Sequence, residues 1–315
     1  MWLLRILKLV AILTPLIPAS IGYALCSVVG TAFFLVNGTA RSNVMANLDQ
    51  VLPGASRAHK LRTARRVCET VVTNYYDLLR IRSIDRDRIS DKVEIEGLEH
   101  IYQALEAGRG AIIVSGHIGN FSVMAKLPST LGLTAGIIAE RVEPPELFNY
   151  MVRLRSAMGI EVIPPDAGSL RKILDLLNRN GILLLAADRD VTNQGLPVHL
   201  FGEETRLPSG PVVLAMRTGA RLIPASTYRR QDGTSAVHLN PPIELIDSGD
   251  RASDVRLNLQ IVADHLESMI AVDPGQWGVL QRIWPPQTTY GRSEGIGSGE
   301  TADCRTGGNR FSREH

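Results

Sequence analysis

Cysteine is scarce in this sequence. Its three cysteines, Cys26, Cys68 and Cys304, are widely spaced and odd in number. That spacing fits neither a zinc site nor a disulfide framework, and it favours a reducing compartment. The sequence also lacks a His and Cys cluster at metal-ligand spacing, a Gly-x-x-x-x-Gly-Lys-Ser/Thr loop and a dinucleotide-binding glycine fingerprint. We therefore expect no metal and no nucleotide cofactor.

A strong excess of charge of either sign is also missing. The 315 residues include 34 Lys and Arg against 32 Asp and Glu, a formal net charge of +2. This balance does not favour nucleic acid as the main partner. Basic residues outnumber acidic ones only locally, over residues 57–88. Such a segment fits a helix lying on an anionic membrane surface and equally a solvated helix face.

Charge is missing altogether near the amino terminus. No Asp, Glu, Lys or Arg occurs between Lys8 and Arg41, a run long enough for a helix of about 20 residues to cross a bilayer. Pro15 and Pro18 interrupt the run, so one span over about residues 17–36 and a broken pair of helices dipping into one leaflet both fit. A cleaved signal peptide is a further alternative, but no clear cleavage site is present. Without cleavage, the basic flanks favour a catalytic body on the cytoplasmic side.

An apolar run that ends in glycine and histidine is the most informative stretch that is present. Residues 111–114 are apolar and follow a Gly-Arg-Gly turn, which is typical of a strand buried on both faces of an α/β sheet. Such a strand delivers His117 to the edge of the sheet. Gly116 and Gly119 leave little side-chain bulk to stop a substrate approaching the imidazole. A histidine in this place can be a general base, or a structural residue bonded to a backbone carbonyl.

The residues around this histidine carry a family resemblance. His117, Gly119, Asn120 and Phe121 match the His-x-Gly-Asn-Trp/Phe-Glu segment of the bacterial lipid A and phosphatidylinositol mannoside acyltransferases. These belong to the lysophospholipid acyltransferase superfamily, which is defined by a His-x4-Asp/Glu motif. Ser122 departs from the motif because it replaces the acid. We expect Asn120 or Ser122 to cap the following helix, and Ser122 to be a hydrogen-bonding residue beside His117 rather than a nucleophile.

Three further segments extend the resemblance over about residues 35–286. Residues 41–53 are similar to the Arg, Asn-Leu and Pro pattern that follows the membrane helix in these acyltransferases. Residues 208–224 resemble a family block that begins Pro-x-Gly-Pro. Residues 273–284 resemble the closing Pro-Glu-Gln-Trp and Arg-x-Trp signature. Two tryptophans at this spacing also suit the anchoring of a terminal helix in the core.

The Pro-x-Gly-Pro block implies a turn and a helix start at Gly210, with backbone N–H groups available to an anion. The same resemblance implies that Glu203 and Glu204 are loop residues. Arg155 resembles a family Arg-x-x-x-Gly element and could hold a phosphate of the donor or acceptor by a forked pair of hydrogen bonds. Arg141 is a weaker candidate, and a surface ion pair is an alternative for each arginine.

A second set of candidates follows the apolar strand at residues 182–186. Asp188, Arg189 and Asp190 lie just beyond the carboxyl end of that strand, where open α/β sheets build their sites. The mannoside acyltransferases have a similar acidic-Arg-Asp triplet beside the catalytic histidine. The resemblance implies that Asp188 is the partner of His117, with Asp190 as the fallback. We also expect Arg189 and Asp190 to be substrate-binding residues. A local ion-pair turn is the structural alternative.

The alternation of strand and helix patterns predicts the fold class. We expect a single α/β domain with a central mixed, mostly parallel sheet covered by helices on both faces, plus an N-terminal membrane-associated helical segment. The predicted divisions are residues 1–40 for the membrane segment, 41–286 for the acyltransferase domain and 287–315 for a disordered tail. Strands are predicted at residues 93–97, 111–114, 136–139, 161–164, 182–187, 198–201, 221–228 and 236–239, and helices at residues 57–79, 98–106, 145–158, 169–179, 210–218 and 252–270.

The resemblance implies a membrane-associated O-acyltransferase that uses acyl-CoA or acyl carrier protein as donor and a glycolipid or phospholipid hydroxyl as acceptor. His117 would be the general base, with backbone N–H groups near Gly119 and Asn120, or an arginine, stabilising the oxyanion. We expect the cytoplasmic face of the inner (plasma) membrane as the location. A catalytically silent lipid-binding or scaffold relative is the alternative from another class. A serine hydrolase using Ser115 or Ser122 is disfavoured because no Gly-x-Ser-x-Gly elbow is present.

Overall fold

The structure is a computed structural model that describes residues 11, 13–80, 92–140, 143–164 and 166–284. It is an α/β fold in which helices cover a mixed, mostly parallel sheet, and one apolar helix lies near the amino terminus. The predicted fold class is confirmed. The predicted disordered tail at residues 287–315 and the candidate Arg141 lie outside the described residues.

Seven strands form the main sheet, in the order β1-β9-β8-β2-β5-β3-β4. All neighbours in it run parallel except β8 and β9, which are antiparallel. Strands β6 and β7 form a separate antiparallel hairpin. The strand bounds are β1 Val93–Glu96, β2 Ala111–Ser115, β3 Ala135–Ile138, β4 Glu161–Ile163, β5 Ile182–Ala186, β6 Leu196–Leu200, β7 Glu203–Leu207, β8 Arg221–Arg229 and β9 Ser235–Leu239.

The helices agree with most of the predicted segments to within a few residues. Helix α2 was not predicted as a helix, and short 3-10 turns occur at Thr14–Leu16 and Pro274–Gln276. The α-helices in the described part of the chain are α1 Ala19–Val36, α2 Gly38–Val51, α3 Arg57–Arg80, α4 Leu98–Glu106, α5 Phe121–Thr130, α6 Pro145–Ser156, α7 Ser169–Asn178, α8 Gly210–Thr218 and α9 Arg251–Val272.

The central strand β2 is buried on both faces, as its apolar sequence predicts. Every residue of β2 is buried, and its side chains alternate between two hydrophobic clusters. Ile112 and Val114 belong to one cluster, and Ala111 and Ile113 to the other. A strand covered by helices on both faces needs this continuous apolar pattern.

The β6–β7 hairpin shows that one prediction from the family resemblance is wrong. Glu203 and Glu204 lie in β7, where they pair with Leu200 and His199 of β6, so they are not loop residues. The turn before them consists of two residues, Phe201 and Gly202, and both have positive φ, 52° and 79°. Two such residues form the tight turn that reverses a β-hairpin.

Helix α1 begins immediately after Pro18, which is its N-cap residue, so proline sets the start of the apolar helix as predicted. Only one face of the helix is buried, at Gly22, Cys26, Gly30 and Phe34. Its length and composition would allow it to cross a membrane, and 22% of it is buried. On the opposite face of α1, six large apolar side chains are exposed: Ile21, Leu25, Val28, Val29, Leu35 and Val36.

Helix α3 packs along α1 and has polar residues on its buried side. Asn74 and Asp77 are buried, whereas Tyr75 between them in the sequence is 55% exposed. The helices run antiparallel, since Gly22 lies against Tyr76 and Gly30 lies against Glu69. Close approach at these two glycines allows α1 to lie on α3 along its length.

Candidate functional site

The two central residues of the site follow two neighbouring parallel strands. Ser115 at the end of β2 is the register partner of Ala186 at the end of β5. His117 and Asp188 each lie two residues further along the chain, so the sheet register sets them side by side. Carboxyl ends of parallel strands meet at one edge of a sheet, which is where open α/β folds bind ligands.

His117 and Asp188 are joined by two contacts. The imidazole Nδ1 lies 2.7 Å from Oδ1 of Asp188, and the His117 main-chain N–H donates to Oδ2 at 2.7 Å. The Asp188 side chain is fully buried, whereas the His117 side chain is 28% exposed. Because Nδ1 faces the carboxylate, Nε2 is the ring nitrogen on the side of the imidazole away from Asp188.

Trp277 completes the surroundings of Asp188. Its indole Nε1–H donates to Oδ2 at 2.9 Å. Burial by itself raises the pKa of the Asp188 carboxyl, but the charge of His117 and the hydrogen bonds from His117 and Trp277 outweigh it and lower the pKa to about 2. Asp188 is therefore a permanent carboxylate that orients the imidazole and stabilises its protonated form. The sequence identified Trp277 only as part of a closing signature and did not place it in the site.

A short strap formed by residues 276–278 holds the loop that carries His117. Gly119 donates its N–H to the Gln276 carbonyl at 2.8 Å, and Gly278 donates to the His117 carbonyl at 2.7 Å. The Gly119 N–H is thus already used, so it is not the free oxyanion donor that the sequence analysis suggested. No described helix follows the strap, so Trp277 packs in a loop rather than anchoring a terminal helix.

The glycines beside His117 make room for protein rather than for substrate. A Cβ on Gly119, whose φ is 56°, would lie 1.8 Å from the Thr227 carbonyl oxygen, and one on Gly116 would lie 3.1 Å from Asp188 Oδ2. The expected role of these glycines in substrate approach is therefore wrong. They allow β8 and Asp188 to pack closely on the loop.

Comparison with known proteins identifies the family of this chain. The sequence model of the bacterial lipid A biosynthesis acyltransferase family matches residues 1–285. The chain belongs to this family. It is 32% identical over 212 residues to a phosphatidylinositol mannoside acyltransferase of Mycolicibacterium smegmatis, which covers 66% of this chain and 67% of that protein. It is 30% identical over 213 residues to the protein of the same name from Mycobacterium tuberculosis, which covers 66% of each. The predicted resemblance is confirmed, and the chain spans about two thirds of the length of these relatives.

In this acyltransferase, Asn120 rather than Ser122 caps α5. The Asn120 side chain accepts from the Val123 N–H at 3.4 Å. Ser122 is 1% exposed, and its hydroxyl has no hydrogen-bond partner in the described structure. The expectation that Ser122 caps the helix or hydrogen-bonds beside His117 is therefore wrong, because Ser122 lies inside the helix and is enclosed by packing.

Arg189 contacts the imidazole of His117 on the Nε2 side, away from Asp188. Its Nη2 lies 3.4 Å from His117 Nε2 and 2.6 Å from Glu140 Oε2. The local ion-pair turn of the sequence analysis does not form, because Arg189 pairs with Glu140 rather than with its neighbouring aspartates. Arg155 on α6 is half-buried, and burial lowers its pKa while the charges of Tyr75 and Glu140 oppose this. Glu140, which sequence reasoning missed, thus interacts with both arginines.

Asp190 is not the partner of His117. Its carboxylate accepts from the main chain of Thr192, Gln194 and Gly195 and from the Thr192 hydroxyl. Burial raises the pKa of the Asp190 carboxyl, but the hydrogen bonds from Gly195, Thr192 and Gln194 together outweigh it and lower the pKa. Asp190 closes the loop after β5, so the fallback assignment is wrong. Its substrate-binding role stays a prediction.

Gly210 lies where the Pro-x-Gly-Pro resemblance predicted, at the first residue of α8. No described contact joins it to His117 or Asp188. Its proposed contact with an anion therefore stays a prediction.

Proposed function

We propose that this protein is a membrane-associated O-acyltransferase with His117 as its general base. It moves a fatty acyl chain from acyl-CoA or acyl carrier protein to a hydroxyl of a glycolipid or phospholipid. The observation that carries the proposal is the pairing of His117 Nδ1 with the buried Asp188 carboxylate, which leaves Nε2 at an accessible edge of the sheet.

The reaction needs one proton shuttle. Nε2 of His117 takes the proton of the acceptor hydroxyl as its oxygen attacks the thioester carbonyl, and Asp188 stabilises the imidazolium that results. The tetrahedral intermediate collapses with loss of the thiolate, which takes the proton back from Nε2. An ester forms, a thioester breaks and the thiol leaves, so no acyl-enzyme is required. The donor is a substrate, and we propose no metal and no cofactor because the thioester is already activated.

Arg189 is placed to stabilise the oxyanion. A guanidinium 3.4 Å from Nε2 lies near the point where negative charge develops on the thioester carbonyl oxygen. Its ion pair with Glu140 fixes the side chain beside the imidazole. We propose that Arg155, Asn120, Asp190 and Gly210 line the substrate site, with Arg155 facing a phosphate of donor or acceptor.

The membrane association rests on α1. Exposed apolar side chains along the helix, Ile21, Leu25, Val28, Val29, Leu35 and Val36, have no cover in the described structure. A contiguous apolar surface of this kind marks an interaction with lipid or protein. We propose that the protein lies on the cytoplasmic face of the inner (plasma) membrane.

The packing of α1 favours a helix lying in the plane of the membrane over a helix that crosses it. Tyr23 bonds Asp77, and Thr31 bonds Glu69, so α1 is fixed to a charged helix along its length. A membrane-spanning α1 would take these carboxylates into the hydrocarbon, which costs several kcal/mol for each charge. In the plane of the interface, the exposed face of α1 enters the lipid while α3 stays at the protein side.

The acceptor is a lipid with a sugar hydroxyl, and the relatives named as phosphatidylinositol mannoside acyltransferases favour a mannoside-like acceptor. Full-length protein in lipid vesicles should be incubated with labelled acyl-CoA, or with acyl carrier protein, and a total lipid extract. Mass spectrometry should then find an acylated glycolipid that is missing from the His117→Ala reaction. A folded protein that binds lipid and transfers no acyl group from either donor would instead be the catalytically silent relative.

A further inference from the structure

A buried ion pair joins the apolar amino-terminal helix to the catalytic machinery. Asp77 of α3, whose side chain is 4% exposed, pairs with Arg229 at the end of β8. Tyr23 of α1 donates its hydroxyl to the other Asp77 oxygen at 3.0 Å, and Arg229 stacks on the Tyr23 ring at 5.1 Å. The acyl-transfer steps described above use none of these residues.

A contribution to stability does not by itself explain why this ion pair is buried. Burial raises the pKa of the Asp77 carboxyl even though the charge of Arg229 opposes the shift. Buried ion pairs are often no more stabilising than apolar residues of the same volume, and their best-attested role is to fix one arrangement. The contacts of Arg229 show which arrangement this pair fixes.

Arg229 connects the ion pair to Gln276 through its main chain. The main chain of Arg229 is held by the Gln276 side chain, whose amide oxygen accepts from the Arg229 N–H at 2.8 Å and whose NH₂ donates to the Arg229 carbonyl at 3.0 Å. Gln276 begins the strap that bonds the His117 loop, and Trp277 follows it with its bond to Asp188. The side chain of Arg229 thus points to α1 and α3, while its main chain holds the strap.

Helix α3 holds the residues that lead into the strap. Thr70 donates its hydroxyl to the Gly275 carbonyl at 3.0 Å, and Arg66 pairs with Asp273 at 2.8 Å. The strap is therefore held between α3, β8 and the His117 loop. A shift of α3 away from β8 would move Trp277 away from Asp188.

We propose that the Asp77–Arg229 pair is a positioning element that keeps Trp277 on Asp188, and thereby links the docking of helix α1 to the geometry of the catalytic dyad. The membrane-facing helix and the His117–Asp188 pair then move as one body. The proposal rests on the proposed acyl transfer for its kinetic readout.

The test replaces both charges together, Asp77→Leu with Arg229→Met, so that no lone charge is buried. The matched control is Glu94→Leu with Arg230→Met, which removes an exposed ion pair between β1 and the residue that follows Arg229. We expect the first pair to lower kcat by about tenfold with KM for the donor unchanged, and the control to keep the wild-type kcat. Arg229→Lys, which keeps the charge beside Asp77, should retain most of kcat.

Coupling to Trp277 distinguishes positioning from a merely structural role. Adding Trp277→Phe to the paired variant should lower kcat no further, because both changes remove the same contact. A paired variant with wild-type kcat, or a Trp277→Phe effect of equal size in both backgrounds, would overturn the proposal.

A second measurement does not depend on transfer. Proton NMR of the full-length protein in detergent micelles should show the His117 Nδ1 proton exchanging faster with water in the paired variant than in the control pair. An unchanged exchange rate would overturn the proposal. If the paired variant does not fold, Tyr23→Phe takes its place, with a smaller change of the same sign expected and no change counting against the link. A wild-type protein that transfers no acyl group would refute the proposed function, while the exchange rates still test the link.

Discussion

The indole N–H of Trp277 donates to Oδ2 of Asp188, the same oxygen that accepts from the His117 main chain. Trp277→Phe removes this donor and keeps the ring. We expect the unfolding free energy to fall by about 2 kcal/mol, since the bond is to a charged group, and kcat to fall by about tenfold. Trp284→Phe is the matched control because its indole bonds the Glu203 carbonyl instead. Equal turnover in Trp277→Phe and Trp284→Phe would contradict a role of Trp277 in catalysis.

His117 and Asp188 should behave as one catalytic unit. Removing a general base lowers the rate by about 10²–10⁴, and members of one unit are not additive. We therefore expect His117→Ala, Asp188→Ala and the double variant to have similar residual rates. Asp254→Ala is the control, since this buried carboxylate holds the turn at Ser248 and is not part of the proposed site, and it should lose stability while keeping turnover. Independent losses that multiply in the double variant would contradict a dyad.

The low pKa of Asp188 predicts how stability depends on pH. Its pKa is about 2 in the folded protein against an ordinary value of 3.8. Since the folded value is the lower one, the carboxylate stabilises the fold above the ordinary value, and this contribution is lost as the pH falls through about 2. The advantage of wild type over Asp188→Asn in unfolding free energy should shrink by about 2 kcal/mol between about pH 5 and pH 2. Denaturant titrations at several pH values measure this. A constant difference would contradict it.

Ser122 should tolerate the loss of its hydroxyl. The hydroxyl is buried without a hydrogen bond, so Ser122→Ala should keep turnover and change the unfolding free energy by less than about 1 kcal/mol. Ser115→Ala is the matched control, because that hydroxyl donates to the Gly116 carbonyl. Loss of transfer in Ser122→Ala to the level of His117→Ala would restore Ser122 as a reacting group and would support a serine hydrolase.

The sequence predicted the parts of the site that depend on neighbouring strands. Apolar runs at β2 and β5 identified buried parallel strands, and a parallel register brings His117 and Asp188 to one edge. The family resemblance correctly named Asp188, with Asp190 as the fallback, as the aspartate that faces the imidazole, whereas the apolar runs alone could not choose between the two. That choice depends on the turn after β5, where Asp190 is used by main-chain N–H groups.

Contacts between distant parts of the chain could not be read from patterns. Asn47 belongs to the Asn-Leu motif, and the structure shows that it bonds the main chain of Gln281 and Ile283. Trp277 reaches Asp188 in the same way, because its chain segment is fixed by α3 and β8 rather than by local propensity. Periodicity reports which face of an element is buried, and it carries no information about which distant polar group that face meets.

The position of α1 relative to a lipid bilayer can be measured directly. Deleting residues 1–40 is a poor test, because it would also uncover the face of α3 that α1 buries. Val29→Glu changes only the outer face, where Val29 is 53% exposed. It should lower partitioning into anionic vesicles by about tenfold or more, since burying a valine contributes about 1.5 kcal/mol. Val272→Glu on α9, which is 68% exposed, should have no effect.

Depth measurements separate a helix in the plane from a helix that crosses. Leu25→Trp, Val29→Trp and Val36→Trp place a fluorophore along the outer face of α1. With lipids brominated at one shallow position of the acyl chain, a helix in the plane gives similar quenching at the three sites. A crossing helix rises about 1.5 Å per residue, so its three sites would differ strongly in depth. Graded quenching, with one end near the bilayer centre, would overturn the in-plane assignment and would mean that α1 leaves α3 when the protein binds the membrane.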